Sequence, residues 1–248
     1  MKKIMIIVLT LLVVFAAGLS ANGIKESAKK YGSGSGQGKG QGRGAGGEYK
    51  ENFIEELSEV YGIEPGSGIL NADEKEGLLL MVEEEKLARD VYLNLYETWN
   101  VPIFKNIAES EQQHMEAVEL MLKAYNVSLP SEIGTPGAYD SAIIQEHYDN
   151  LTSAGEESVE AALQVGATIE DLDIADLQNL ISDAENDEIK ILYQNLMKGS
   201  RNHMRSFSSQ LAKYNMEYIP TYVDDEYYEK ILKYNRESAP ITDPDYSI

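Results

Sequence analysis

Ile107-Ala108-Glu109-Ser110-Glu111-Gln112-Gln113-His114 is the stretch that orders the rest of the chain. It sits inside a long amphipathic run over residues 104–125. Residues three apart on a helix share a face one turn on, so Glu111 and His114 can aim a carboxylate and an imidazole at one place. A Glu-x-x-His pair projecting inward from a helix bundle is the recurring half-site of carboxylate-bridged di-iron and di-manganese centres. Alone the pattern arises often by chance, and most such pairs are solvated. Its weight depends on the neighbouring helices.

The apolar stripe around the pair is Phe104, Ile107, Ala108, Met115, Val118 and Leu122, with Glu111 at its middle. Upstream, Asn71-Ala72-Asp73-Glu74 fits a capping box, which predicts a helix over residues 72–98. Its positions Met81, Ala88, Val91 and Leu95 fall on a three-four spacing, and the one member of that stripe that is not apolar is Glu84. Glu83 and Glu85 fall to its flanks on this reading. A glutamate inside an apolar stripe is costly to bury unless it is paired, protonated or bound to a metal. The break at Trp99-Asn100-Val101-Pro102 makes the two helices antiparallel neighbours.

Downstream, residues 126–152 carry Pro130, Gly134, Pro136 and Gly137 and one short helix over 139–151, a long crossover between the second and third long helices. The third starts near Gly155 and shows Val159, Leu163, Gly166, Ala167 and Glu170 on one face, with Asp173, Ile174 and Leu177 beyond. Asp173 reads equally as the N-cap of a separate helix over 174–181. The fourth follows the polar stretch 182–187 and runs to about Tyr214, with Ile189, Leu192, Leu196, Gly199, His203 and Phe207 on its stripe. The expected fold is all-α, an antiparallel four-helix bundle with a long crossover between the second and third helices.

Composition bounds the chemistry. Of 248 residues, 42 are acidic and 21 basic, a net charge of -21 that argues against a nucleic-acid partner, whose phosphates need a basic face. An acidic surface draws in cations, although solvated helix faces are the favoured reading of such a charge taken by itself. The absence of cysteine removes disulfides, thiolate metal sites and a thiol nucleophile. Residues 1–21, with Lys2 and Lys3 before an apolar run and small residues after it, read as a secretory signal, which predicts an extracytoplasmic protein; an uncleaved membrane anchor is the alternative. Residues 22–69 read as a Gly-rich linker, a tether to the envelope, with a short peripheral helix over 48–61. The bundle occupies residues 70–222, and 223–248 form an acidic, Tyr-rich tail that packs on it through Tyr222, Tyr227 and Tyr228.

Each of the four helices thus places a metal-competent group on its buried stripe: Glu84, Glu111 with His114, Glu170 with Asp173, and His203. Carboxylates bridge two ions and imidazoles terminate them, a mixture suited to iron, manganese or zinc. The competing account is a buried hydrogen-bond network involving Arg89, Arg201 or tyrosine hydroxyls. His147, in the crossover, lacks a comparable partner and reads as structural. Tyr92, Tyr125 and Tyr214 lie near the stripes, as core packing or as groups supporting a metal site.

The set resembles the ferritin-like superfamily. In particular, Glu83-Glu-Glu-Lys-Leu-Ala-Arg-Asp-Val-Tyr92, Ile107 to His114, Val165-Gly-Ala-Thr-Ile-Glu170 through Asp173-Ile174, and Gly199-Ser-Arg-Asn-His203 look like the family catalogued as domain of unknown function 2202. The resemblance covers roughly residues 70–222. It implies a ferritin-like bundle with a dinuclear iron site, in which Glu84 is the first-helix glutamate, Glu111 and His114 the second-helix pair, Glu170 the third-helix glutamate and His203 the histidine of the last pair. Ser200 departs from the pattern, standing where a second Glu-x-x-His pair has its glutamate, and Asp173 is the candidate replacement. The implied function is a secreted or envelope-tethered protein, monomer or oligomer, whose two iron (or manganese) ions react with oxygen or peroxide as a ferroxidase or peroxidase-like oxidoreductase. The alternative is a non-catalytic, metal-stabilised bundle that acts as a binding or structural module.

Overall fold

The computed structural model describes residues 69–248; the expected signal, the Gly-rich linker up to residue 68 and the peripheral helix over 48–61 lie outside them. Six helices and no strands form the described residues: α1 (Ala72–Trp99), α2 (Pro102–Ala124), α3 (Ala142–Gly155), α4 (Val159–Asp183), α5 (Asp187–Lys213) and α6 (Asp225–Lys233). Among the described residues no helix is long and apolar enough to cross a membrane.

The helix ends follow local chemistry. The capping box forms: Glu74 N–H donates to Asn71 Oδ1 at 2.8 Å, and Asn71 N–H donates to the Glu74 carboxylate at 3.0 Å. Glu74 also accepts the Glu185 and Asn186 N–H groups at 2.9 and 2.8 Å, tying the start of α1 to the turn between α4 and α5. Asn100 ends α1 in the left-handed region, φ 52°, and Pro102 opens α2 where its missing N–H costs nothing. Ser141 and Ser158 cap α3 and α4. Those caps explain why α3 begins later than 139 and α4 later than Gly155, which instead closes α3. Asp173 is not an N-cap, because α4 passes through it without a break.

Cross-helix contacts fix the directions. Arg89 bonds Gln112 and His114 meets Glu85, so α1 and α2 are antiparallel. Glu74, at the start of α1, meets the end of α4, and Trp99, at the end of α1, donates to Gly155 O just before α4, so this pair is antiparallel too. Therefore α2 and α4 run the same way, and residues 125–158 return the chain along the bundle. On its way α3 packs against α1 and α4: Lys86, fully buried in α1, pairs with Asp90 at 2.8 Å and donates to Ala138 O at 3.0 Å.

One continuous core fills the bundle, with Leu78, Met81, Tyr92, Phe104, Val118, Leu122, Leu163, Leu177 and Phe207 among its fully enclosed side chains. Each such residue contributes on the order of 1.5–3 kcal/mol by leaving water. The residues after α5 are fastened to it: buried Asp171 accepts Tyr218 Oη–H at 2.8 Å and the N–H groups of Thr221, Tyr222 and Val223 at 2.6, 3.0 and 3.0 Å. Farther on, buried Arg201 forks onto Glu237, with Nε at 2.8 Å and Nη2 at 2.5 Å. The expected tail therefore contains a helix, α6, capped by Asp224, with Tyr228 buried; Tyr222 and Tyr227 are partly buried.

Candidate metal centre

Halfway along the bundle, the apolar core gives way to carboxylates and imidazoles. Glu111 of α2 stands at the middle, 2% exposed. Its Oε2 lies 2.7 Å from His114 Nδ1, one turn on, and its Oε1 lies 2.8 Å from His203 Nδ1 of α5. On one side Glu85 of α1 places Oε2 3.3 Å from His114 Nδ1; on the other, Glu170 of α4 places Oε2 3.4 Å from His203 Nδ1. Two three-residue groups result, Glu85-Glu111-His114 and Glu111-Glu170-His203, each with its ligand atoms within 4.8 Å of one another. They share Glu111. The two rings stack with centroids 5.5 Å apart and planes 28° from parallel.

The ring orientations are built. His203 Nε2 meets Ser110 Oγ at 3.0 Å, which turns Nδ1 toward the carboxylates. His114 lies across Gly199, where a Cβ would come within 2.3 Å of its Cε1 and 2.4 Å of its Nε2. Only glycine leaves that room. Tyr92 Oη–H donates to Glu170 Oε1 at 2.5 Å, fixing which carboxylate oxygen faces His203.

Electrostatically the five groups strain against each other. Burial pushes Glu85 and Glu170 up to about 7, the pull of His114 and of His203 offsetting only part of it. Burial works the other way on the histidines, but the surrounding carboxylates outweigh it: His203 rises to about 10, and His114 stands well above the usual imidazole range. Burial alone would raise Glu111 too, yet the imidazoliums of His203 and His114 hold it well below the usual carboxylate range.

Each of the two groups could hold a metal ion. His203 Nδ1 sits within ion-pair distance of two carboxylate oxygens, yet it is buried without an aligned hydrogen bond, and Glu85 Oε1 is buried and unpartnered. Carboxylate oxygens and ring nitrogens 2.7 to 3.4 Å apart match neighbouring positions around one ion, since metal–ligand bonds of roughly 2.0–2.2 Å put neighbouring ligands about 3 Å apart. Oxygen and nitrogen donors without thiolate suit iron, manganese or zinc.

The sequence-based set is divided by the structure. It brings Glu111, His114, Glu170 and His203 together. Glu84 is not in either group; it faces Asp176 and Asp173, and α1 supplies Glu85 in its place. Asp173 accepts the Ser200 hydroxyl, so the serine standing where the resemblance implies a glutamate is bonded to the aspartate expected to substitute for it. Arg89 and Arg201, candidates for a competing network, bond Asp90 and Glu237 and leave the centre alone. Sequence reasoning missed Glu85, Ser110 and the function of Gly199. Leu78-Met81-Glu85-Ala88-Tyr92-Leu95 repeats every three and four residues and is buried throughout, and it was the signal for Glu85.

Residues 74–235 match the family model described as an uncharacterized protein domain, DUF2202. The chain is 51% identical over 168 residues to the uncharacterized protein MJ0754 of Methanocaldococcus jannaschii, a match covering 68% of this chain and 91% of that protein. It also superposes, with a TM-score of 0.68 and 50% identity, on the crystal structure of the hypothetical protein MJ0754 from Methanococcus jannaschii, covering 69% of this chain and 98% of the other.

Proposed function

The chain belongs to the DUF2202 family, and from its geometry we propose that it is a ferritin-like protein holding two metal ions, iron or manganese, at Glu85, Glu111, His114, Glu170 and His203. Glu111 carries this reading, since its two oxygens address one imidazole each and make it a bridge between two three-residue groups. The parallel course of α2 and α4 supports the ferritin-like arrangement. Held by these residues, two such ions would supply electron transfer to oxygen or peroxide.

The protein's own residues supply the conditions. His114 and His203 give up protons from their ring nitrogens on loading, and Glu85 and Glu170 lose the protons that burial favours. Ser110 and Tyr92 keep His203 and Glu170 in register, while Gly199 leaves His114 its place. Buried Phe207, its ring centroid 5.4 Å from that of Tyr92, lies beside the site and lowers the local dielectric. The signal-like residues 1–21 and glycine-rich linker support a site outside the cytoplasm, tethered at the envelope, where an acidic protein gathers cations.

The test is elemental analysis after iron loading, with absorbance followed while ferrous iron is added in air. Two ions per chain and consumption of oxygen or peroxide are expected. Less than one ion per chain overturns the dinuclear reading. Metal without turnover leaves the alternative, a metal-stabilised structural bundle.

A further inference from the structure

Away from the centre, one side of α5 reads a stretch of backbone. Asn202 closes two hydrogen bonds on a single residue: its Nδ2 donates to Glu237 O at 2.9 Å, and its Oδ1 accepts the Glu237 N–H at 3.0 Å. About two turns earlier Asn195 repeats the pair on Ile241, at 2.8 and 2.9 Å. Between them Lys198 Nζ donates to Ala239 O at 3.1 Å. The carbonyls of alternate residues, 237, 239 and 241, thus face the helix, the pattern of an extended chain running antiparallel to α5. Two side chains anchor it. The Glu237 carboxylate takes the Arg201 fork and a further hydrogen bond from Arg205 Nη2 at 3.0 Å, and Ile241 is buried. Ser238, Ala239, Pro240, Thr242 and Asp243 are exposed. Main-chain hydrogen bonds joined to side-chain anchors at intervals are the means by which proteins hold extended peptides of other chains.

The segment in place leaves one position of this frame half made. A side-chain amide can donate and accept together, as Asn195 and Asn202 do. Gln194, next along, only donates: its Nε2 reaches Tyr246 O at 2.8 Å and Pro244 O at 3.3 Å, while its Oε1 is buried with no hydrogen-bond partner among the described residues. Pro244 has no N–H to return. The Tyr246 N–H is turned onto Asp243 O at 3.2 Å. The reading side chains, Gln194 to Arg205, lie within residues 74–235 that match the family model, and the segment they hold begins beyond them. Residues 234–236, which join that segment to α6, are exposed.

We infer that this side of α5 is a docking groove for an extended segment of a partner protein. The segment it fits carries a glutamate for Arg201 and Arg205, an aliphatic residue four positions on, and three positions further a residue whose N–H answers Gln194. The chain's own residues 237–246 occupy the groove in cis. A connector as short as 234–236 gives them an effective concentration on the order of millimolar, so a partner binds by displacing them.

A fluorescently labelled peptide of residues 235–248, followed by anisotropy, tests the groove on the full chain. The double variant Glu237→Gln, Ile241→Ser, whose own segment is weakened, should bind it saturably and at least tenfold more tightly than the native chain does. Adding Asn195→Ala and Asn202→Ala to that variant should abolish binding. A peptide carrying Pro244→Ala should bind about two- to tenfold more tightly than the unaltered one, the effect of one hydrogen bond. Hydrogen exchange on the native chain covers a variant that does not fold: about 1 mM of the Pro244→Ala peptide should speed exchange of the Glu237 and Ile241 amides by displacing the resident segment. No binding to the weakened variant, binding indifferent to Asn195 and Asn202, or equal affinity for the two peptides would overturn the partner groove. So would a native chain that sediments as a dimer and is dissociated by the peptide, since the occupant would then be a second copy.

Discussion

The His114 ring lies against the backbone of Gly199, so close that a Cβ there would sit 2.4 Å from Nε2. The residue that follows, Ser200, is where the resemblance leads one to expect a glutamate. A methyl group at 199 must push the ring off its carboxylates or push α5 away from α2. Gly199→Ala is expected to cost about 1–3 kcal/mol, the usual range for overpacking a core. Thermal unfolding of the metal-free variant checks this. Metal content should fall at least to half of the native value, and native stability with native metal content would show that the ring has room to move.

Glu111 touches both imidazoles, whereas Glu85 and Glu170 touch one each. Glu111→Ala should therefore abolish binding at both positions, while Glu85→Ala or Glu170→Ala should spare one ion. His147→Ala should leave both ions of the centre in place, because His147 of α3 belongs to neither three-residue group and lines a small cavity with Glu84 and Asp173 instead. Titration of each variant with the same metal separates these outcomes. Equal losses in Glu111→Ala and His147→Ala would mean that the centre lies elsewhere.

The choice between Glu84 and Glu85 shows where the sequence stops being informative. Helix α1 touches α2, α3 and α4, so it is buried around most of its circumference, and two overlapping three-four stripes fit it equally well. Both share Met81, Ala88 and Leu95. Helix α2 is buried on a narrower face, and there the Glu111 and His114 spacing reads unambiguously. The capping box at Asn71 and Glu74 and the break at Pro102 are local and legible for the same reason. The Asp171 clamp on Thr221, Tyr222 and Val223 joins residues about fifty positions apart, and no periodicity encodes such a contact.

That clamp gives a stability prediction away from the metal. Asp171→Ala removes one buried acceptor from three backbone N–H groups and the Tyr218 hydroxyl. Leaving buried donors unsatisfied costs about 1–3 kcal/mol each, partly relieved where water enters, so a loss of roughly 3 kcal/mol is expected. Urea unfolding measures it. A change below about 0.5 kcal/mol, the size of an ordinary surface substitution, would show that the segment after α5 adds nothing to the bundle.

Acidity should separate the metal-free from the loaded protein. Glu85 and Glu170 rise from 4.5 to about 7 on folding, and His203 rises from 6.5 to about 10. A group whose folded value exceeds its unfolded one holds more protons when folded, so its stabilisation is complete below the unfolded value and drains away as pH climbs through the folded one. Metal-free stability should accordingly decline from about pH 4.5 toward pH 10, whereas Glu111, shifted downward, adds a stabilisation that is constant above 4.5 and lost only as pH falls below it. Bound ions remove the need for those protons, so the metal-induced rise in Tm should widen with pH. Calorimetry at several pH values checks the trend, and a constant or shrinking rise would contradict it.

The most direct measurement is anomalous diffraction at the absorption edge of the loaded metal, on crystals of the loaded chain. Two peaks, one on each side of the Glu111 carboxylate and bordered by Glu85 with His114 and by Glu170 with His203, are the predicted result. No peak at Glu111, or a single ion bound elsewhere in the bundle, would contradict the dinuclear centre.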